Sequence, residues 1–254
     1  MGRVAVEEHS IEFRLDSEAR PDGRAAAHVH SKSVQRERRR EEVLAVFDRI
    51  VTKKKVTFER IEHTENRNGS ETTAPASPLA GRSYVAQVMH SEPVFTDALG
   101  APVSDVERRE LSRRLANFGK PDPFLEGLPD GPVHPGWPAS GIAAGFLELF
   151  EPVDEASLEG PDIANVDVRY AGVRDEPQGR CGVFAFTLAI QMAGEPRLAL
   201  DLRGEFLVRV SDSVPIALEA RGPARLVGLQ VIEGVNVQMR GAGEMSGSFR
   251  ITYQ

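Results

Sequence analysis

His28 and His30, one residue apart, put two imidazoles on one face of an extended strand, a spacing that suits a transition metal. A third ligand would have to come from His9, His63, Glu8 or His90 through folding, so two surface histidines beside a turn are the better reading and no metal site is expected. Cys181 is the sole cysteine, and no flanking motif pairs it with a histidine as a nucleophile; an inert thiol at a strand entry is expected. The segment Gly243-Glu244-Met245-Ser246-Gly247-Ser248 lacks the strand–turn–helix setting of a nucleophile elbow. Gly141-Ile142-Ala143-Ala144-Gly145 reads as helix packing, not as a phosphate cradle. Asp201 and Arg203 share a strand face and read as a structural couple. Two basic runs, Arg36-Glu37-Arg38-Arg39-Arg40 and Lys53-Lys54-Lys55, have the composition that holds phosphates or anionic lipid heads. Glu41 and Glu42 cancel much of the first field, and solvated strand ends are the plainer reading. No catalytic residue is assigned, and no cofactor is expected.

The elements that would position such groups are strands. Beyond Ile163 the apolar period is two: Val166, Val168 and Tyr170; then Phe184, Phe186, Leu188, Ile190 and Met192. Leu198, Leu200, Leu202, Gly204, Phe206, Val208 and Val210 hold one parity without a break. Further rows are Ile216, Leu218 and Ala220; Val227 to Met239; and Met245, Phe249, Ile251 and Tyr253. Only a pleated strand gathers such residues on one side. The breaks are short, as at Arg221-Gly222-Pro223-Ala224, so neighbouring strands run antiparallel. Gly204 and Gly234, inside otherwise continuous rows, mark bends or bulges.

The first half is less regular. Ile11, Phe13 and Leu15 alternate with Glu12 and Arg14 before the turn Pro21-Asp22-Gly23. Val43 to Phe58 reads as strand from its β-branched content, and Thr64 to Pro78 reads as a polar loop. Ser104-Asp105-Val106-Glu107 is a capping box that opens a helix over 105–118, stopped by Gly119 and Pro121. A second helix is expected over 141–150 with Ile142, Phe146 and Leu149 inward. Between them, six prolines in Pro121 to Pro138 indicate a rigid extended linker. Trp137 in that proline cage reads as a plug for one end of a barrel. The expected fold is mainly β with minor α: a curved antiparallel meander forming a half-barrel or barrel. It spans 1–254 as a single β-rich domain, built from an irregular N-terminal half (1–138) and a meander (163–254).

Composition sets the outer limits. The chain has 254 residues, 41% of them apolar, and a net charge of −7, so it has material for a core and is no general polyanion binder. An internal disulfide is excluded by the single cysteine, and no apolar run is long enough for a membrane helix. Met1 to Glu8 has no apolar signal-peptide core, so the expected compartment is the cytoplasm, or the envelope if an export signal has been removed.

Gly81-Arg82-Ser83-Tyr84, Asp97 to Gly100, Phe118-Gly119-Lys120-Pro121-Asp122-Pro123, Leu128-Pro129 and Pro132-Val133-His134-Pro135-Gly136-Trp137 occur in order ahead of the meander. Over about residues 40–254 this resembles a class of β-rich bacterial envelope proteins and lipoproteins from myxobacteria-like lineages. The resemblance implies an envelope location and this architecture, and it carries no activity.

Function is read from apolar area. The meander's apolar face is larger than two short helices can cover, so either the N-terminal strands close it or a hydrophobic guest does. The first expectation is therefore binding of a hydrophobic small molecule or lipid in an apolar cavity, lined by Phe184, Phe186, Phe206, Met239 and Phe249. The second is a structural or assembly module that meets a protein partner through sheet edges or faces. The third, an enzyme using a barrel cavity, requires polar groups inside, and strand parity places none there. Nucleic acid is not an expected partner, nor is the chain expected to span a membrane.

Overall fold

The computed structural model describes residues 3–129, 131–149, 162–192, 195–232 and 234–254. Three long strands open the chain: β1 (Val4–Pro21), β2 (Ala27–Phe47) and β3 (Ile50–Arg67). Three short ones follow, β4 (Ser70–Thr73), β5 (Ser83–Met89) and β6 (Glu92–Asp97). The helices come next, α1 (Asp105–Arg114), α2 (Pro123–Glu126) and α3 (Ser140–Leu149). The last five strands are β7 (Asp162–Glu176), β8 (Gly179–Met192), β9 (Arg197–Arg209), β10 (Val214–Ile232) and β11 (Val235–Tyr253).

All described strands join one antiparallel sheet in the order β6-β5-β3-β2-β1-β11-β10-β9-β8-β7, with β4 beside β3. The first and last long strands are neighbours: β1 faces β11 from Ala5–Tyr253 to Pro21–Val237. The chain is thus a meander whose start and finish meet in the middle of the sheet. Its one long crossing, from β6 to β7, joins the two edges and carries the three helices. The sheet is curved and open, a half-barrel, not a closed barrel. Part of the curvature is legible at Gly204, where a Cβ would lie 2.0 Å from the Glu219 carbonyl oxygen and 2.6 Å from the Phe186 ring. Only a residue without a side chain permits strands to approach that closely.

The N-terminal half is also rich in strand, with 18, 21 and 18 residues in β1, β2 and β3. The polar stretch expected as a loop from Thr64 to Pro78 contains the end of β3 and all of β4, joined by a tight turn with positive φ at Asn68 and Gly69. Ala171 to Arg180, whose glycines, proline and charges read as a loop in the sequence, is mostly strand, and Gly172 sits at a bulge in β7. Helix α1 starts at its capping box but stops at Arg114, four residues short of Phe118. Helix α3 begins at Ser140; Phe150 and the side chain of Leu149 lie outside the described residues. The proline-rich linker holds α2, whose Asp122 carboxylate accepts the Phe124 and Leu125 amides while Pro123 opens the first turn. The same linker covers the β7 edge. Gly136 N–H donates to Tyr170 O, Tyr170 N–H to Trp137 O, and Ala139 N–H to Val168 O, at 2.8–2.9 Å. These bonds occupy an edge that would otherwise offer itself to another strand.

One face of the sheet, here the inner face, carries two separate helical caps. Over β7–β10, Ile142 and Phe146 of α3 and Phe124 of α2 pack on Phe184, Phe186, Leu188 and Phe206. Gly127 and Gly141 allow α2 and α3 to touch backbone to backbone; a Cβ on Gly127 would sit 2.3 Å from the Ile142 nitrogen. Over β3, β5 and β6, Leu111 of α1, with Leu115 and Phe118 just past its end, packs on Val56, Phe58, Tyr84 and Phe95. A third, smaller core of Cys181, Val183, Leu207 and Ala217 lies at one end of β8–β10, with parity opposite to Phe184 and Phe206.

Candidate functional site

Register fixes what the inner face presents between the two caps. One row of facing residues, from β7 to β3, is Tyr170, Phe184, Phe206, Leu218, Phe249, His9, Glu37 and Ile61. The adjacent row is Val168, Phe186, Gly204, Ala220, Gly247, Ile11, Gln35 and His63. Each row starts apolar and reaches polar groups on β1 or β2. The first does so at His9 and Glu37 before ending on Ile61 against the α1 core, the second at Gln35 and His63. Under α2 and α3 the aromatic rings are buried, with Phe184 3%, Phe186 4% and Phe206 2% exposed. Past β10 the cover thins. Phe13, Leu218, Ala220 and Met245 are only partly buried against the core, and Ile11 is 41% exposed. Phe249 is half-buried and its ring lies 4.6 Å from that of His9. The result is an apolar strip on β10, β11 and β1, with Gly247 at its floor.

The far side of the strip is polar. His63 Nε2 and Ser33 Oγ are 3.1 Å apart, and Gln35 is exposed beside them. Next along β1 and β2 lies an ion network that binds α1 to the sheet. The Arg39 guanidinium holds Glu7 at 2.6 Å and Glu41 at 3.1 Å, and Lys54 holds Glu41 at 2.8 Å. Arg39 also donates to the Arg114 carbonyl at 3.4 Å, and Arg114 pairs with Glu37. Burial alone would raise the Glu7 carboxyl; Arg39, His9 and Lys54 outweigh it and hold the group well below the usual carboxylate range. His9 stands at the seam, its Nε2 3.5 Å from Glu7 and its ring against Phe249. The strip is therefore apolar at one margin and carries hydrogen-bonding groups at the other, an arrangement that suits an amphipathic molecule lying across β11, β1 and β2.

The five residues singled out from the sequence do not form one cluster. Phe184, Phe186 and Phe206 come together beneath the helices. Phe249 faces the open strip. Met239 lies ten residues along β11, roughly 33 Å away, opposite Gly228 and Ala19. The strip's other members, Ile11, Phe13, Leu218 and Met245, were visible as rows in the sequence; their meeting was not, because nothing local indicates that β1 pairs with β11. Ser33 and Gln35 carried no signal, and His63 figured only as a possible third metal ligand.

On the opposite face the strands surround a concavity of about 1320 Å³ lined by Asp201, Arg203, Glu205, Arg221 and Glu244, among others. It is open, with charged side chains beside apolar surface. Arg203 stands opposite Arg221 and Glu205 opposite Glu219, so the Asp201–Arg203 couple belongs to a mixed-charge surface. His30 Nδ1 contacts Asp16, and both His28 and His30 are exposed. Among the described residues no three His, Cys, Asp or Glu side chains converge as metal ligands. Cys181 is fully buried, its Sγ 3.2 Å from the Gly179 carbonyl, and burial pushes its thiol up. Trp137 is half-buried against the core beneath α2 and α3.

No protein-family model and no curated protein matches the chain. Among solved structures it is similar to one of lipovitellin concerned with lipid–protein interactions, at 8% identity and a TM-score of 0.34. That alignment covers 98% of this chain and 25% of the other, so the chain spans about a quarter of the lipovitellin chain. It is also similar to a LolA superfamily protein from Nitrosomonas europaea, at 8% identity, a TM-score of 0.16, and 92% and 84% of the two chains. Neither score defines a shared fold.

Proposed function

We propose that the chain binds a hydrophobic small molecule or lipid on the inner face of its open sheet, along Ile11, Phe13, Leu218, Met245 and Phe249. The supporting observation is Ile11: 41% exposed, it sits on the same face and in the same row as the buried Val168 and Phe186, yet no described helix covers it. Fully burying such a side chain is worth about 1.5–3 kcal/mol, so covering the 41% that the helices leave open is worth about 1 kcal/mol, which a guest tail supplies. The guest's polar end faces Gln35, Ser33 and His63 on β2 and β3. No group on this strip is placed for chemistry on the guest, so the role is carriage or storage without catalysis. The envelope location implied by the sequence resemblance would put membrane lipids within reach.

Titration of lipid-stripped protein with a fluorescent fatty-acid analogue tests this reading. The expected result is saturable binding that weakens about tenfold or more in Ile11→Asp, a change placing a carboxylate where the tail lies. Val227→Asp, on the opposite face, leaves it unchanged. Absence of saturable binding, or equal affinity for Ile11→Asp and the parent chain, overturns the proposal.

A further inference from the structure

Two rows of the inner face end in polar groups on β2 and β3, and these select the head of a guest lying along them. The row through Ile11 ends in Gln35 and His63, and the row through Phe13 ends in Ser33 and Glu65. Gln35 is exposed and Ser33 half-buried, and both are uncharged. The amide of the first and the hydroxyl of the second each donate and accept hydrogen bonds.

The cations that approach this margin already have carboxylates. Arg39 is held by Glu7 at 2.6 Å and by Glu41 at 3.1 Å, and Lys54 by Glu41 at 2.8 Å. Arg114 is held by Glu37, and by Glu110 at 3.1 Å. Each imidazole has its own as well: His9 Nε2 lies 3.5 Å from Glu7, and His63 Nε2 lies 3.4 Å from Glu65. Among the described residues Arg67 makes no ion pair, but it stands four residues past His63 on β3, about 13 Å away, with Glu65 between them. Its row runs back through Ser31, Leu15, Gly243 and Ala224. Leu15 and Ala224 are buried, so that row leaves a tail nothing to cover.

Glu65 is therefore the charge that an ionised head meets first. A carboxylate or phosphate placed there gives up water without gaining a counter-charge, whereas a hydroxyl needs only the hydrogen bonds that Gln35 and Ser33 supply. A fixed cation would find one carboxylate, which His63 already holds.

We infer that the guest is a long-chain lipid with an uncharged, hydroxyl-bearing head, a fatty alcohol or a monoacylglycerol, whose hydroxyl bonds with Gln35 and Ser33 beside His63. This rests on the carriage reading above and narrows it: an ionised fatty acid is a weaker occupant of the same strip.

The test is displacement of the fluorescent fatty-acid analogue from the full chain at about pH 8, where carboxylic acids are ionised. The competitors are oleate, oleyl alcohol, monooleoylglycerol and oleylamine. Oleyl alcohol and monooleoylglycerol should each displace the probe at a concentration about fivefold or more below that of oleate. Gln35→Lys, which sets a free ammonium at the head, should reverse the order of oleate and oleyl alcohol. Ser246→Lys, at an exposed position on the opposite face, should keep the parent's order, and far-ultraviolet circular dichroism of each variant should match the parent. Oleate level with or ahead of oleyl alcohol on the parent chain overturns the inference and leaves the carriage reading in place. So does a folded Gln35→Lys chain that keeps the parent's order. Oleylamine ahead of both uncharged lipids assigns a cationic head and also overturns it. A chain that binds no probe at all removes the carriage reading, and this inference with it.

Discussion

Glu107 joins α1 to the β5 strand beneath it, and its removal has a cost that can be worked out group by group. Its carboxylate accepts the Ser104 amide at 3.0 Å, the Ser104 hydroxyl at 2.7 Å, the Tyr84 hydroxyl at 2.8 Å and Arg82 at 2.7 Å. Replacing Glu107 with Ala removes half of the capping box, about 1 kcal/mol. It also leaves the hydroxyl of Tyr84, a residue 2% exposed, with no acceptor in a buried setting, about 1–3 kcal/mol. Arg82 is largely exposed and adds little. The expected loss is about 2–4 kcal/mol in urea unfolding. Tyr84→Phe removes the stranded hydroxyl, so the double variant should recover about 1 kcal/mol or more relative to additivity. The same carboxylate yields a pH signature. The Ser104 hydrogen bonds, with those from Tyr84 and Arg82, lower its pKa from 4.5 to about 2. A carboxyl lowered on folding stabilises the native state when ionised. That stability is complete above the ordinary value of 4.5 and is lost as pH falls toward 2, and Glu107→Gln should flatten this part of the acid limb. A loss under about 0.5 kcal/mol for Glu107→Ala, or strict additivity with Tyr84→Phe, would refute the reasoning.

Three other outcomes follow from the packing. Arg39→Ala leaves Glu7 and Glu41 buried without their shared cation and should cost about 3–5 kcal/mol in chemical unfolding, more than Arg38→Ala on the exposed face. Gly204→Ala drives a methyl group into the Glu219 carbonyl and should lower stability by about 1–3 kcal/mol, whereas Gly23→Ala, in an open turn, meets no neighbouring atom and costs only its backbone strain. Cys181 should resist a disulfide-exchange reagent in the native protein and react at once in urea, since the thiol is buried and its pKa raised.

The period and buried face of the C-terminal strands were legible because both follow from alternation of apolar and polar residues. Leu198 to Val208 shows this directly, with Leu200, Leu202 and Phe206 buried and Asp201, Arg203 and Glu205 exposed. The bounds of those strands were not legible. The break expected at Arg221 to Ala224 lies inside β10, and Gly234, expected inside a continuous row, sits in the β10–β11 turn. In β1–β3 the same inner face carries Glu7, Glu37, Arg39, Glu41 and Lys54, which satisfy one another as ions beneath α1. Their alternation is of charge with charge, so a hydrophobic period could not reveal strands of 21 and 18 residues. The α1 start was visible because a capping box is local chemistry; its stop was not, because the turn from Leu115 to Phe118 keeps apolar residues facing the core. The strip was legible only in pieces. Ile11 and Phe249 are more than two hundred residues apart in sequence, and they share a face solely because β1 pairs with β11.

Light-driven crosslinking of a fatty acid bearing a diazirine in its tail, followed by peptide mapping, locates the guest on the protein. Adducts confined to the segments around Ile11 to Phe13 and Met245 to Phe249, lost in Ile11→Asp, are the expected outcome. Adducts on the Arg203–Arg221 face, or labelling spread evenly over the sheet, would contradict an apolar guest held on the inner face between the helical caps.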